Sequence, residues 1–396
     1  MTGFDLSPSA ARRMLGAAGP SHDEDDDAAV ERYAAIVWCH LIEPGDSVAG
    51  RLIRNLGAAA ALRAVLSGGQ TSAVDAAELE RGRRRWMPRL SADAISDGLA
   101  RAAKSGVTLV TRADPDWPRQ VDDLEAHAPI CLWVRGDRAA LTRLWPSVAV
   151  VGARAATSYG DHVALELAAE LAGSGIPIVS GGAYGIDGAA HRAALAVGGL
   201  TVALLAGGVD RAYPAGHTDL IDRIATTGAV VSEVPCGSAP TKWRFLQRNR
   251  LIAALTEATV VVEAGWRSGS LNTAGHAAAL SRQLGAVPGP ITSAASAGAH
   301  RLIREYGAHC VTSAGDIREL IGLGGDSSPP GDARPRTDDT TRVRDALSAR
   351  VWRDAADAAR RAGMPVDEVE AILGLLHLEG AVVRGPGGWR LGPANM

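Results

Sequence analysis

The stretch Val148-Ala149-Val150-Val151-Gly152 decides the fold, because four apolar residues in a row lead directly into a glycine. A run that is apolar at every position predicts a strand buried on both faces, as in a parallel sheet covered by helices. Comparable apolar runs follow at 176–179, 201–205, 229–231 and 259–262, and we expect helices over 161–172, 187–197, 248–255 and 270–284. This alternation of buried strands and helices predicts an α/β domain with a doubly wound, extended Rossmann-like, mostly parallel sheet.

The sequence on both sides of these strands predicts further segments. Residues 1–27 are small and polar and end in an acidic run, which is typical of a disordered tail. Residues 28–105 have helical periodicity and predict a small, SAM-like helical module. The Rossmann-like domain is expected over 106–322, and a linker rich in Pro, Gly and charge over 323–340. Three helices and a hairpin over 341–396 have the order of a winged helix-turn-helix.

Composition limits the classes of function and location. With a formal net charge of -3, the chain is not expected to coat nucleic acid through its overall charge, so any nucleic-acid site must be local. Its four cysteines have no metal-ligand spacing, so we expect reduced thiols and no metal site. The first residues lack the apolar core of a signal peptide, and no stretch is apolar enough to span a membrane. We therefore expect a cytoplasmic protein with no membrane attachment.

The segment 241–251 is basic and aromatic. It carries four cations and no acidic residue, and Phe245 within it is one of only two Phe in the chain. Cations that hold phosphates, beside rings that stack on bases, are typical of sites for single-stranded nucleic acid.

Three Gly-containing loops, 152–160, 180–187 and 267–273, follow predicted strands. Because the carboxyl ends of parallel strands meet at one edge of a sheet, we expect all three loops to face one crevice. Ser158 and Asp161 resemble a capping box, so a helix N-terminus is expected to open an anion site beside Arg154. Dinucleotide binding is disfavoured, because the glycines at 181, 182 and 185 form an incomplete fingerprint with no acidic ribose ligand about 20 residues further on. We expect no cofactor.

Over residues 148–312, the order and spacing of these motifs resemble the DNA-processing protein A (DprA/Smf) family. The most specific piece is Arg248-Asn249-Arg250-Leu251-Ile252-Ala253, which leads to Val262-Glu263-Ala264. The resemblance implies a protein without catalytic activity that binds and protects single-stranded DNA and loads a RecA-type recombinase onto it in natural transformation and recombination. We also expect a homodimer through the Rossmann-like domain.

The family's strand-holding residues correspond here to Arg154, Lys242 and Phe245. Many members carry Arg where this chain has Tyr184, so this position offers a ring and no phosphate donor. In a helix expected to begin near residue 247, Arg248 and Arg250 face different ways, so one can contact DNA while the other braces the loops. The full set of expected DNA-binding residues is Gly152, Arg154, Ser158, Gly181, Gly182, Lys242, Phe245, Arg248, Asn249, Arg250, Gly269, Ser270 and Thr273.

No catalytic residue or metal ligand is expected. We interpret Asp187 and His191 as helix-start and packing residues, because no nucleophile, second carboxylate or metal partner is placed to join them. In the C-terminal domain, the third helix opens with three acidic residues within 367–370, which would repel phosphates. Their presence favours a protein contact or a lost DNA-binding role for this domain.

Two alternatives remain open from the residues alone. One is a nucleotide-processing enzyme of the nucleoside monophosphate phosphoribohydrolase type, although Pro288-Gly289-Pro290 does not supply the Pro-Gly-Gly-x-Gly-Thr loop of such enzymes. The other is an interaction scaffold whose α/β pocket is vestigial.

Overall fold

Val148–Val151 forms a buried strand inside a nine-stranded sheet, as its apolar sequence predicts. The computed structural model describes residues 4–16, 25–324 and 339–392. The strands run in the order β1-β2-β6-β5-β4-β3-β7-β8-β9, and the pairs from β6 to β9 are parallel, while β1 and β2 pair antiparallel at one edge. The strands are β1 Val107–Thr111, β2 Cys131–Gly136, β3 Val148–Val151, β4 Ile178–Ser180, β5 Thr201–Leu205, β6 Ala229–Ser232, β7 Ala258–Val261, β8 Gln283–Ala286 and β9 His309–Cys310.

Helices cover both faces of this sheet, which confirms the doubly wound fold. α7, α8 and α13 pack on the face that carries Val148 and Val150, and α10, α11 and α12 pack on the face that carries Ala149 and Val151. The helices of this part are α7 Ser158–Gly173, α8 Ile186–Ala196, α9 Thr218–Thr227, α10 Lys242–Leu255, α11 Ser270–Ala279, α12 Ala297–Glu305 and α13 Ala314–Leu320, with 3-10 segments at Arg119–His127, Arg138–Arg143 and Ala215–His217.

Two helix boundaries differ from the sequence prediction. α10 begins at Lys242, six residues before the predicted start at 248, because the Thr241 hydroxyl accepts the Arg244 N–H at 3.2 Å and caps the helix there. α11 ends at Ala279 instead of 284, because Ser281 has a φ of 54° and the next residues form β8 beside β7.

The N-terminal segment also differs from its prediction. Pro8–Leu15 forms a helix, α1, within the segment that composition assigns to a disordered tail. Ala11 and Leu15 are buried against the next helix, α2 (Asp26–Leu41). A pair of apolar residues four apart gives a short helix one face to bury, which average composition conceals. The acidic run, in turn, begins a helix, since Asp25 caps α2 by accepting the Ala28 N–H at 2.7 Å.

Five helices, α2 to α6, form the N-terminal module and pack on the antiparallel edge of the sheet. The Cys39 and Cys131 sulfur atoms lie 3.3 Å apart across this contact, and Arg32 and Asp114 form a buried ion pair at 2.7 Å. Burial alone would raise the pKa of Asp114, but hydrogen bonds from Arg32 and Thr111 lower it to about 2. The module and the α/β part thus share a core within one compact unit, 1–325. The helices are α2 Asp26–Leu41, α3 Ser47–Leu56, α4 Ala58–Ser67, α5 Ala76–Trp86 and α6 Ala92–Lys104, with a 3-10 turn at Met87–Arg89.

Glu43, just after α2, links this module to α10. Its carboxylate accepts two hydrogen bonds from Arg244, both at 2.9 Å, and forms an ion pair with Arg89 at 2.8 Å. Burial alone would raise the pKa of Glu43, but its arginine partners lower it below its ordinary value.

The second compact unit, 326–396, has its own hydrophobic core around Val343, Leu373 and Val382. Three helices followed by a hairpin confirm the winged-helix-like order predicted for it. Most of the predicted linker lies outside the described residues. The elements are α14 Asp339–Asp345, α15 Ala355–Ala362, α16 Val366–Leu378, β10 Val382–Gly385 and β11 Gly388–Leu391.

Within the described residues, no helix is both long enough and apolar enough to cross a membrane.

Candidate nucleic-acid interface

A cavity of about 770 Å³ opens at the carboxyl edge of the parallel strands. From β3 the chain proceeds to β4, β5 and β6 on one side, then returns to place β7 on the other side of β3. Doubly wound sheets bind ligands at such a switch point. The loops after β3 and β7 and the first turns of α10 form most of the wall.

Besides the buried Arg248, three cations stand on this wall: Arg154, Lys242 and Arg267. All three are exposed, and none forms an ion pair with the other residues that the structure describes. The N-terminus of α10, capped by Thr241, adds its positive dipole end to the same wall. The cavity is therefore suited to an anionic ligand. Arg267 was not among the expected DNA-binding residues, although it begins the third predicted loop.

An aromatic cluster lies on the same wall. The Arg154 guanidinium carbon is 4.6 Å from the centre of the Phe245 ring. The centres of the Tyr213 and Phe245 rings are 5.6 Å apart. Tyr213 and Phe245 both line the cavity, so the wall offers rings as well as charge. The sequence interpretation missed Tyr213, to which the Tyr213-Pro214 pair could have drawn attention.

Helical spacing explains why α10 presents this combination. Lys242, Phe245 and Asn249 are three and four residues apart, so they share one face, which is the face that lines the cavity. Asn249 is largely buried, and its side-chain amide donates to the Gly269 carbonyl at 3.4 Å and to the Asn272 side chain at 3.2 Å. It thereby holds α10 against the third loop, where Gly269, Ser270 and Thr273 line the cavity.

The two arginines beside Asn249 brace the fold. Arg248 reaches the cavity wall but is buried, donates to the Leu204 carbonyl at 2.7 Å, and has its pKa lowered to about 10 by burial. Arg250 is 2% exposed, lies away from the cavity, and forms two hydrogen bonds to Glu233 at 2.8 and 2.7 Å. Because α10 begins at Lys242 and not near 247, both arginines lie in its second and third turns, below the rim.

Three other expected site residues also lie off the wall. Ser158 is exposed in the first turn of α7, where Thr157 takes the capping role by accepting the Gly160 N–H at 3.2 Å. A side chain at Gly181 would overlap the Arg248 guanidinium, and Gly182 has a φ of +67° that favours glycine. These two glycines therefore shape the second loop. Gly152 does line the cavity, together with Arg154.

Asp187 and His191 are both buried. The Asp187 carboxylate accepts the Gly181 N–H at 3.1 Å and the Ala183 N–H at 3.4 Å, while burial raises its pKa. His191 shares a hydrogen bond with the Thr201 hydroxyl at 2.7 Å, and burial lowers its pKa to about 3. Their partners tie the second loop and α8 to the sheet. No group of three or more His, Cys, Asp or Glu in the described ranges could hold a metal ion.

Comparison with known families identifies the chain. The family model described as DNA recombination-mediator protein A matches residues 108–322, which is more than half of the 396 residues. The chain belongs to this family. A second family model, the DprA winged helix domain, matches residues 327–388. Both findings agree with the resemblance that the motifs indicated.

Relatives of this DprA/Smf chain extend the match. It is 46% identical over 319 residues to a Mycobacterium tuberculosis protein that carries the name DNA processing protein DprA. This alignment covers 76% of this chain and 82% of that protein. Protein Smf of Escherichia coli is 38% identical over 269 residues, covering 66% of this chain and 71% of Smf. The X-ray structure of DNA processing protein A (DprA) from Streptococcus pneumoniae aligns with a TM-score of 0.58 at 30% identity, over 73% of this chain and 97% of that chain.

Proposed function

We propose that this DprA/Smf chain binds single-stranded DNA in the switch-point cavity as a non-catalytic recombination mediator. The observation that carries the proposal is the pair of exposed cations, Arg154 and Lys242, which share the cavity wall with the Phe245 ring and have no carboxylate partner among the described residues. A phosphate backbone supplies the missing negative charge, and an unpaired base supplies a flat face for the ring.

The contact between Arg154 and Phe245 suggests how DNA enters. The Arg154 guanidinium carbon lies 4.6 Å from the ring centre of Phe245. Such a contact contributes about 0.5–1 kcal/mol at an exposed site. A base stacked on an aromatic ring contributes about 1–3 kcal/mol. A base therefore replaces the guanidinium on Phe245, and Arg154 turns to a phosphate.

The first test is a salt-titrated binding assay with labelled oligo-dT and a duplex of equal length. We expect tighter binding to the single strand, because duplex bases are already stacked and cannot cover Phe245. Contacts from three cations, Arg154, Lys242 and Arg267, give an expected slope of log affinity against log salt of about -2. Equal affinity for both DNA forms at all salt concentrations would contradict the proposal.

Phe245→Ala is expected to weaken oligo-dT binding by about 1–3 kcal/mol, because it removes the base-stacking ring. Phe245→Tyr keeps a ring and serves as the matched control, with an affinity close to that of the parent chain. Both variants should keep the parent's salt slope, since no charge changes. A Phe245→Ala chain that binds as tightly as the parent shows that the ring does not contact a base.

We further propose that the bound strand is protected and passed to a RecA-type recombinase, and that the chain acts as a homodimer through its Rossmann-like domain. Membership of the recombination-mediator family supports these finer proposals. Sedimentation of the full chain tests the dimer. The loading is tested on single strands coated with a single-strand-binding protein. The measured quantity is the lag before a RecA-type recombinase begins to hydrolyse ATP on them.

The same geometry supports a binding site over an active site. Asp187, the carboxylate on the cavity wall, is engaged by two backbone N–H groups. Glu263, after β7, is buried and accepts the Thr157 N–H at 2.9 Å and hydroxyl at 2.6 Å. Their hydrogen-bond partners occupy both carboxylates as braces between loops, so no observation favours the nucleotide-processing alternative.

A further inference from the structure

Trp266 stands just outside the cavity and has no role in the site described above. It lies between Gly265 and Arg267, both of which line the cavity, and its side chain is 54% exposed. By contrast, Trp38, Trp86, Trp117 and Trp133 are each buried to within 2%. A large ring left half in water beside a binding site is a feature that a ligand contact explains.

The Trp266 ring is held in place from one side. The Arg301 guanidinium of α12 lies over it at 5.0 Å and is itself 5.4 Å from the Tyr306 ring. Arg301 also donates to Glu305 at 2.8 Å and to the Tyr306 hydroxyl at 3.3 Å. These contacts fix the position of the ring before any ligand arrives, which lowers the entropy cost of stacking on it.

Trp266 lies on the β7 side of the cavity, toward β8. Its loop follows β7, and α12, which carries Arg301, packs beside β8, the next strand outward. Arg267, an exposed cation without an ion-pair partner among the described residues, directly follows this ring in the chain and itself lines the cavity. A ring and a cation thus stand side by side here, and Phe245 and Lys242 supply the same two chemistries at the cavity itself.

We propose that the DNA strand leaves the cavity on the β7 side, passes a phosphate across Arg267, and stacks a base on Trp266. This inference rests on the proposed function and adds to it a second base platform, so the bound strand is longer than the cavity. Short oligonucleotides that fill only the cavity do not reach Trp266, whereas longer ones do.

The test uses the full chain and an oligo-dT series from about 4 to about 16 nucleotides. Trp266→Ala is expected to leave the affinity for the shortest oligomers unchanged and to weaken binding of the longer ones by about 5- to 150-fold. Trp266→Phe, which keeps a ring, should recover most of the loss. The salt slope should stay that of the parent chain.

Trp145→Ala is the matched control. Trp145 is 43% exposed and has the Arg282 guanidinium 4.8 Å from its ring centre, but it precedes β3 and so lies at the opposite end of that strand from the cavity. This variant should bind every oligomer as the parent does, and thermal unfolding should show both variants folded.

The outcomes separate this inference from the proposed function. If the parent chain binds oligo-dT and Trp266→Ala matches it at every length, the second platform is wrong and the cavity site stands. If Trp266→Ala weakens all lengths equally, the ring belongs to the cavity and the longer path is wrong. If the parent binds no single strand at low salt, the proposed function itself fails.

Discussion

Replacing Glu233 by alanine is expected to destabilise the 1–325 unit by about 3–5 kcal/mol. The change leaves Arg250, which is 2% exposed, as a buried cation without its carboxylate partner at 2.7 Å. Arg250 also donates to the His127 carbonyl at 3.0 Å, so its displacement loosens the contact between α10 and the 3-10 segment as well. Urea unfolding followed by tryptophan fluorescence measures the effect.

Two controls isolate the buried charge. The double variant Glu233→Leu with Arg250→Met removes both charges and should recover much of the lost stability, since apolar side chains replace a buried ion pair at little cost. Glu80→Ala breaks the exposed contact with Arg84 at 3.4 Å and should change stability little. A Glu233→Ala chain as stable as Glu80→Ala would show that Arg250 does not need its partner.

Joint replacement of Arg154 and Lys242 by alanine is expected to weaken oligo-dT binding at low salt by about 3–6 kcal/mol, or roughly 10²- to 10⁴-fold. Both cations are exposed on the cavity wall and lack an ion-pair partner among the described residues, so their removal should cost little fold stability beyond the loss of the contact between Arg154 and Phe245. The slope of log affinity against log salt should become shallower by about 1.4, because two phosphate contacts are lost.

The matched control for this pair is Arg63→Ala with Lys104→Ala. Both are exposed cations of the helical module, on α4 and α6, and neither lines the cavity. This variant changes the net charge by the same amount, so it reports any general effect of charge on binding. Equal losses in the two double variants would mean that binding follows net charge and not the cavity.

Local patterns in the sequence predicted the sheet and one wall of the site. Apolar runs such as 148–151 identify buried strands without knowledge of their neighbours, since burial on both faces forbids alternation. Phe245 was informative for a similar reason, because a ring among cations can be recognised within the short segment 241–251. The loop after β3 was predictable because Gly152 directly follows a strand.

What the sequence did not reveal depends on partners distant along the chain. Nothing near Arg250 indicates that Glu233 faces it, so a buried brace and a phosphate contact look alike in a one-dimensional pattern. The start of α10 depends on one hydroxyl, that of Thr241. An error of six residues there placed Arg248 and Arg250 at the start of the helix, although they lie in its second and third turns. Arg267 became prominent only once the structure showed it exposed on the cavity wall, with no ion-pair partner in the described part of the chain.

The Glu43 bridge would couple the N-terminal module to the proposed binding of DNA. Glu43 holds Arg244, two residues from Lys242, and so neutralises one positive charge in the first turn of α10. A partner that draws Glu43 toward itself would release Arg244 and raise the affinity for DNA. Reciprocity then requires DNA to raise the affinity for that partner by the same factor, so one carboxylate would let each ligand report the presence of the other.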